Sequence, residues 1–203
     1  LKTPIAISHL NIETLLKRDL DATQQLKLLE ATLKETKRLD DLSTNILLTS
    51  QLDMGKYEAD KQLVNLSELV RQTIKSFQER YPNRVCNTMV EEAIEIQGEP
   101  LLIQLLINNL MDNANKYAPI TEPIYIQLQT HQNTVQLIVK DQGPGIADAA
   151  KNKVFEKFYR LGSESTRTTK GSGLGLYLCK KIATFHNAQI QLTNNIPTGS
   201  IFT

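Results

Sequence analysis

The chain has 203 residues, and its 23 basic and 22 acidic side chains give a formal net charge of +1 at pH 7. This balance lacks the dense positive field that non-specific nucleic-acid binding needs, so we expect no nucleic-acid partner. A hydrophobic fraction of 40% is enough for one or two domains with proper cores. Its two cysteines match no metal or redox spacing, which indicates a reduced, cytoplasmic protein.

Residues 1–58 have a helical apolar pattern with a pause at 18–21, which predicts two helices joined by a turn. The second helix carries apolar residues mostly three or four positions apart, among them Leu26, Leu29 and Leu33. Two helices alone cannot bury so wide an apolar stripe. We therefore expect this hairpin to pair with a second copy into a dimeric four-helix bundle.

A polar linker at 59–62 precedes an α+β pattern that occupies 63–203. We expect helices to about residue 80, over 101–119 and over 174–186. The predicted strands lie at 63–66, 85–89, 93–97, 124–130, 135–140, 190–193 and 200–203. Strands on one side and helices on the other predict a two-layer α/β sandwich.

The helix predicted over 101–119 has an apolar stripe, which we expect to include Leu101, and a polar edge. Asn109, Asn113 and Lys116 are spaced four and three apart, so their side chains lie along one edge. Neutral oxygen ligands beside an ammonium group suit Mg²⁺ with a polyphosphate. Taken alone, the segment is better explained as an amphipathic helix with a solvated polar edge.

Two glycine-rich segments follow. Asp141-Gln142-Gly143-Pro144-Gly145-Ile146 ends a strand, where a carboxylate could accept a hydrogen bond from an exocyclic amine such as that of adenine. The segment 171–176, GSGLGL, opens a helix whose amides favour an anion. No strand directly precedes it, and no P-loop pattern is present, which excludes a Rossmann or P-loop protein. Between these segments, aromatics at 155–159 could anchor a lid bearing Arg160, Arg167 and Lys170.

In this order, the motifs resemble those of the sensor histidine kinases of bacterial two-component systems. NNLMDNANKY at 108–117 resembles their N box, and DQGPGI at 141–146 their G1 box. FEKFYR at 155–160 resembles the F box, and GSGLGL at 171–176 the G2 box. LKTP at 1–4 is similar to the end of the H box. The resemblance covers essentially the whole chain and implies a Bergerat-type ATP-binding fold after the hairpin.

The resemblance implies that ATP and Mg²⁺ are the cofactors. Asn113 would coordinate Mg²⁺, Asn109 would lie at the phosphates in a catalytic role, and Lys116 would contact them. Tyr117 would lie against adenine, whose amino group Asp141 would bind. The remaining expected contributors shape the pocket or its lid: Gly143, Gly145, Ile146, Tyr159, Arg160, Lys170, Gly171, Ser172, Gly173, Leu174, Gly175 and Leu176. Such positioning and charge neutralisation are most of what phosphoryl transfer requires.

The H-box pattern places the phosphoacceptor histidine two residues before Leu1, so the sequence looks like an excised fragment that lacks this nucleophile. His9 is a poor substitute, because leucine follows it where the family has an acid. We assign no role to His131 or His186. Thr3 matches the H-box threonine that, in this family, helps to position water for dephosphorylation of the response regulator.

The resemblance predicts a protein-histidine kinase that passes the γ-phosphoryl group of ATP to histidine and then to an aspartate of a response-regulator receiver domain. No apolar run could cross a bilayer and no signal peptide is visible, so we expect a cytoplasmic fragment of an inner-membrane sensor, anchored through upstream segments. Two alternatives stay open: an ATPase of the chaperone, topoisomerase or mismatch-repair type, and a non-catalytic module that senses nucleotide or docks a partner. The ATPases use a glutamate base where this chain has Asn109.

Overall fold

The computed structural model describes residues 2–58, 60–161 and 171–203, with Lys2 and Thr3 described only by their backbone. The chain divides into two compact units, Leu1–Gln51 and Leu52–Thr203. No helix within the described ranges is both long and apolar enough to cross a membrane.

The first unit is the predicted helical hairpin. Helix α1 spans Lys2–Lys17, and α2 spans Ala22–Asp53, so the turn falls at 18–21. Asp21 caps α2, because its Oδ1 accepts a hydrogen bond from the backbone N–H of Gln24 at 2.8 Å. Leucines expected to face a partner, including Leu29 and Leu33, are exposed in the single chain. Pairing into a four-helix bundle stays a prediction.

The second unit is the predicted α/β sandwich. Its helices are α3 (Leu66–Arg80), α4 (Pro100–Tyr117), α5 (Asp148–Lys151) and α6 (Gly175–Phe185), with a 3₁₀ turn at Lys153–Phe155. Its strands are β1 (Gln62–Asn65), β2 (Cys86–Val90), β3 (Glu95–Gly98), β4 (Ile124–His131), β5 (Thr134–Lys140), β6 (Leu192–Asn194) and β7 (Ser200–Phe202). Among the described residues, five strands form one sheet in the order β2-β4-β5-β7-β6, in which β2 and β4 pair in parallel and the other neighbours pair antiparallel. Strands β1 and β3 form a separate antiparallel pair.

The core lies between the sheet and the three longer helices of this unit. In β4, Ile124, Ile126 and Leu128 are buried while the residues between them face the other side, as the alternating pattern predicts. Helix α4 buries Ile107 and Met111 completely. The prediction for Leu101 was wrong: this residue is 70% exposed, because at about 100° per residue it falls outside the buried arc of α4.

The start of α4 is fixed by a cap and by a distant histidine. The carboxylate of Glu99 accepts hydrogen bonds from the N–H groups of Leu101 and Leu102 at 3.3 and 2.6 Å. The backbone N–H of Glu99 in turn donates to Nε2 of His186 at 3.0 Å. These contacts join the start of α4 to the end of α6, which orients the helix that carries the N box.

Candidate functional site

Three of the four boxes, which lie far apart in the sequence, meet around the C-terminal half of α4, and the F box joins them through the G2 box. Their contacts involve glycines at which a side chain would collide with another box. A Cβ atom built on Gly143 would lie 3.0 Å from the carbonyl oxygen of Tyr117, and one on Gly175 would lie 2.8 Å from Oδ1 of Asn109. The G1 and G2 boxes therefore both contact the N box directly.

Asp141 is the most enclosed of the described charged residues of the site, with 4% of its surface exposed. Its Oδ1 accepts hydrogen bonds from the backbone N–H groups of Gly143 at 2.8 Å and Ser200 at 3.3 Å. Burial raises the pKa of Asp141, and these two hydrogen bonds offset only part of that rise. The bonds hold Oδ1 in place, and Oδ2 takes part in neither of them. A buried carboxylate held in this way suits an amine donor such as that of adenine.

The polar edge of α4 faces the G2 box. Asn109 donates its side-chain N–H to the carbonyl of Leu105 at 2.8 Å, and its Oδ1 faces the position of Gly175. A Cβ on Gly171 would lie 2.7 Å from Nζ of Lys116, so this ammonium group adjoins the start of the G2 box. Asn113, one turn from Asn109, is half-buried on the same helix.

Tyr117 is the last residue of α4, and it is half-exposed. Its hydroxyl accepts a hydrogen bond from Nζ of Lys116 at 3.0 Å, and the ammonium group lies 4.6 Å from the centre of the ring. The two residues that the resemblance assigns to phosphate and adenine are thus in contact with each other. An incoming nucleotide would either separate Lys116 from Tyr117 or contact both residues.

The F box and the G2 box contact each other through their backbones. The N–H of Phe158 donates to the carbonyl of Gly173 at 3.0 Å. Gly173 has φ +73°, and a Cβ there would lie 2.7 Å from the carbonyl carbon of Phe158. Glycine is therefore required at this position both by its conformation and by the approach of the F box. Leu174 is fully buried behind this turn, and its N–H donates to Oγ of Ser172 at 3.2 Å.

The remaining expected residues differ in how well the structure places them. Ile146, Tyr159 and Leu176 are half-buried and pack against the core beside the boxes. Gly145 has φ +72° and lies against Gly199. Arg160 is half-buried directly after Tyr159. Lys170 and Arg167 lie outside the described residues, as does the side chain of Thr3.

A turn at residues 195–199, which the sequence pattern did not predict to be part of the site, supports the G1 box from behind. The side chain of Asn195 donates to the carbonyl of Asp141 at 2.8 Å, and Oγ1 of Thr198 donates to the carbonyl of Gly143 at 2.8 Å. Gly199 has φ +116° and lies against the backbone of Asp141 and Gln142. The Asn-x-x-Thr-Gly spacing signals a turn, but nothing local in it indicates contact with residues more than fifty positions earlier.

The chemical groups at this site fit a nucleoside triphosphate. The ammonium group of Lys116 and the N-terminus of α6 at Gly175 provide positive potential for phosphates. The amide oxygens of Asn109 and Asn113 are hard ligands of the kind that Mg²⁺ accepts. The Asp141 carboxylate and the Tyr117 ring offer a hydrogen-bond acceptor and an aromatic face for a base.

Comparison with known proteins identifies the family. Residues 98–203 match the family described as histidine kinase-, DNA gyrase B-, and HSP90-like ATPase, a match of more than half of the chain. The chain therefore belongs to this family, and the matched region is its ATP-binding domain.

Relatives of known identity extend the similarity over nearly the whole chain. Sensor histidine kinase CusS of Escherichia coli (strain K12) is 28% identical over 196 residues, which are 96% of this chain and 41% of CusS. Sensor-like histidine kinase SenX3 of Mycolicibacterium smegmatis is 29% identical over 205 residues, which are 100% of this chain and 53% of SenX3. The chain thus spans about half the length of these relatives, and nearly all of it is similar to them.

Solved structures agree with this assignment of the fold. Acinetobacter baumannii histidine kinase AdeS aligns with a TM-score of 0.78 and 21% identity over 99% of this chain and 93% of that one. The catalytic domain of histidine kinase ThkA aligns with a TM-score of 0.60 and 28% identity over 70% of this chain and 92% of that one. The first similarity includes the N-terminal hairpin as well as the sandwich.

Proposed function

We propose that this chain is the catalytic core of a two-component sensor histidine kinase. Residues 1–58 would form the dimerisation and phosphotransfer hairpin, 59–62 the linker, and 63–203 the domain that binds Mg²⁺ and ATP. The observation that supports this proposal is the contact of Gly143 and Gly175 with N-box residues of α4, together with the contact of the F box with Gly173 of the G2 box. The γ-phosphoryl group would pass to the H-box histidine, expected two residues ahead of Leu1.

In the bound state, we assign adenine to Asp141 and Tyr117 and the phosphates to Lys116 and the G2 box. Asn113 would supply an oxygen to Mg²⁺, which neutralises the charge of the phosphates and draws electron density from the transferring group. Arg160 and Lys170 would complete the phosphate contacts from the lid. Asn109 would hold the phosphates in line for transfer.

The identity of Asn109 argues for a kinase over an ATPase. A hydrolase of this fold needs a base to take a proton from water, and an amide cannot do so near neutral pH. The Asn109 amide N–H is also engaged with the carbonyl of Leu105, which leaves its oxygen toward Gly175. This arrangement supports a role for Asn109 in positioning a phosphoryl group. It provides no base at residue 109 that could accept a proton from water.

The partners that follow from the proposal are a second copy of the chain and a receiver domain. Exposed leucines along α2, such as Leu29 and Leu33, support pairing of two hairpins. A response-regulator aspartate would accept the phosphoryl group, and Thr3 would assist its removal. We place this core in the cytoplasm, on a sensor that is anchored through segments outside it.

The test is a calorimetric titration of the chain with a non-hydrolysable ATP analogue, with and without Mg²⁺. We expect one nucleotide per chain and tighter binding when Mg²⁺ is present. Asn113→Ala should abolish the dependence on Mg²⁺, because the variant loses its metal ligand.

Asn108→Ala is the matched control, because Asn108 lies on the same helix but bonds to Arg80 at 2.9 Å, outside the assigned site. It should bind as the wild type does. Failure of the wild type to bind under either condition would overturn the kinase proposal in favour of a partner-docking module. A full Mg²⁺ effect in Asn113→Ala would overturn only the metal assignment.

A further inference from the structure

Arg84 is a buried cation that lies outside all four boxes. It sits in the turn between α3 and β2, with 4% of its surface exposed. Its own backbone is fixed, because its N–H donates to the carbonyl of Tyr81 at 2.9 Å. Burial lowers the pKa of its guanidinium, and the nearby Cys86 partly opposes this, but arginine stays charged at every physiological pH.

All five N–H donors of Arg84 are used. Nε donates to Oδ1 of Asn115 at 2.7 Å, and Nη2 donates to the carbonyls of Asn115 and Ala118 at 2.9 and 3.1 Å. Nη1 donates to the carbonyls of Pro119 and Glu122 at 2.6 and 3.0 Å. Each acceptor is a neutral amide oxygen, so the guanidinium acts as a cap for the chain that leaves α4.

The charge also suits this location. The C-terminus of a helix carries a partial negative charge and unpaired carbonyls, which a cation stabilises. Four of the five acceptors are backbone carbonyls of the last turn of α4 or of the loop at 118–123 that follows it. Arg84 therefore sets the path of the chain at the end of the N box.

That segment includes the nucleotide-facing residues. Lys116 and Tyr117 lie between Asn115 and Ala118, both of which are held by Nη2 of Arg84. The carbonyl of Tyr117 lies 3.0 Å from a Cβ built on Gly143, whose N–H holds Oδ1 of Asp141. A shift of the end of α4 would thus move Lys116 and Tyr117 and press on the G1 box.

We propose that Arg84 is a positioning residue of the nucleotide site, whose forked guanidinium holds the end of α4 so that Lys116, Tyr117 and the G1 box keep the geometry that ATP requires. The inference rests on the proposed function, since it needs the site to bind nucleotide. It concerns the shape of the donor more than its charge, because a lysine could satisfy at most three of the five acceptors.

The test compares Arg84→Lys with the wild type by titration with the non-hydrolysable ATP analogue and Mg²⁺, well below the melting temperature of each protein. We expect binding to weaken about tenfold, since small displacements of positioning groups are costly. Hydrogen exchange of the amides at 115–122 should become faster without nucleotide. Arg71→Lys is the control: it lies on α3 and bonds to Glu92 and to the carbonyl of Val90, away from α4.

If Arg84→Lys does not fold, Asn115→Ala serves instead, because it removes only the partner of Nε and should weaken binding a few-fold. Binding within about twofold of the wild type, by whichever of these two variants folds, would overturn the inference while the kinase proposal stands. A wild-type chain that binds no nucleotide would overturn both. An equal loss of affinity in Arg71→Lys would also overturn the inference, because it would indicate a general loss of stability.

Discussion

Asp141 combines a functional position with an energetic cost. Its ordinary pKa is 3.8, and burial raises the pKa in the folded chain. Between the unfolded and the folded pKa the native state binds more protons, so the free energy of unfolding falls as pH rises through that window. At neutral pH the ionised carboxylate therefore costs stability. In the proposed function, we attribute its presence to the adenine amine that it would bind.

Asp141→Asn should separate stability from binding. At pH 7 we expect a free energy of unfolding that is unchanged or higher by up to about 1 kcal/mol, because no buried charge remains. Affinity for the ATP analogue should fall about 10- to 100-fold, the value of a charge-assisted hydrogen bond. Urea unfolding and calorimetry provide the two measurements. Asp148→Asn, at an exposed carboxylate, is the control and should bind normally; loss of stability without loss of binding in Asp141→Asn would contradict this interpretation.

The raised pKa of Asp141 also predicts how binding depends on pH. Protonation would remove the charged acceptor that we assign to the adenine amine. Because the pKa is raised, protonation occurs at a higher pH than for an ordinary aspartate. We expect affinity for the ATP analogue to fall as pH is lowered through that folded pKa, and we expect no such fall with an analogue in which hydrogen replaces the amino group of the base. A parallel fall with both ligands would assign the pH effect to another group.

At the scale of elements, the approach of the F box to the turn before α6 decides the shape of the site. Gly173 contacts the backbone of Phe158 and Tyr159, and the N–H of Phe158 donates to its carbonyl. Because this contact is between backbones, a side chain added at residue 173 would have no room. The F box and the G2 box, which flank residues 162–170, are therefore in direct backbone contact.

Gly173→Ala tests this contact, with Gly55→Ala as its control. Both glycines have positive φ, +73° and +63°, but a Cβ at Gly55 would have no atom within 4 Å. Gly55→Ala should cost about 1 kcal/mol, from its conformation alone. Gly173→Ala should cost about 1–3 kcal/mol more from overpacking and should weaken nucleotide binding. Equal costs in urea unfolding would contradict a tight contact between the boxes.

At the scale of the whole molecule, the two units differ in how they bury apolar surface. The sandwich has a continuous core in which Phe77, Ile126 and Ile182 are almost fully buried. The hairpin instead leaves leucines such as Leu29 and Leu33 more than half exposed. An apolar stripe of this kind is typical of an interface, and in our proposal the hairpin of a second chain covers it.

Leu33→Glu should therefore weaken self-association. A charge buried at a helix interface is costly, so we expect the dissociation constant of the dimer to rise at least tenfold, or by about 1.4 kcal/mol. Ala31→Glu places the same charge at an exposed position on another face of α2 and should leave the dimer intact. Sedimentation equilibrium provides the measurement, and a wild-type chain that is monomeric throughout would contradict the prediction.

The sequence by itself determined those features that depend on neighbouring residues. The hairpin with its turn at 18–21, the alternation of Ile124, Ile126 and Leu128, and the helix that carries the N box all follow from local periodicity. The order of the four boxes was sufficient to predict the family that the comparison then showed. These signals are local or lie in the order of the motifs, so they can be recognised without knowing how the chain packs.

Only the tertiary structure decided which distant residues support the site. Arg84 lies 31 positions from Asn115, Asn195 lies 54 from Asp141, and His186 lies 87 from Glu99. Each is an ordinary polar residue in its own stretch of sequence, and the separate pairing of β1 with β3 was equally hidden. Their roles arise because the folded chain brings a donor to an acceptor that would otherwise be buried without a partner. That requirement exists only once the core has excluded water.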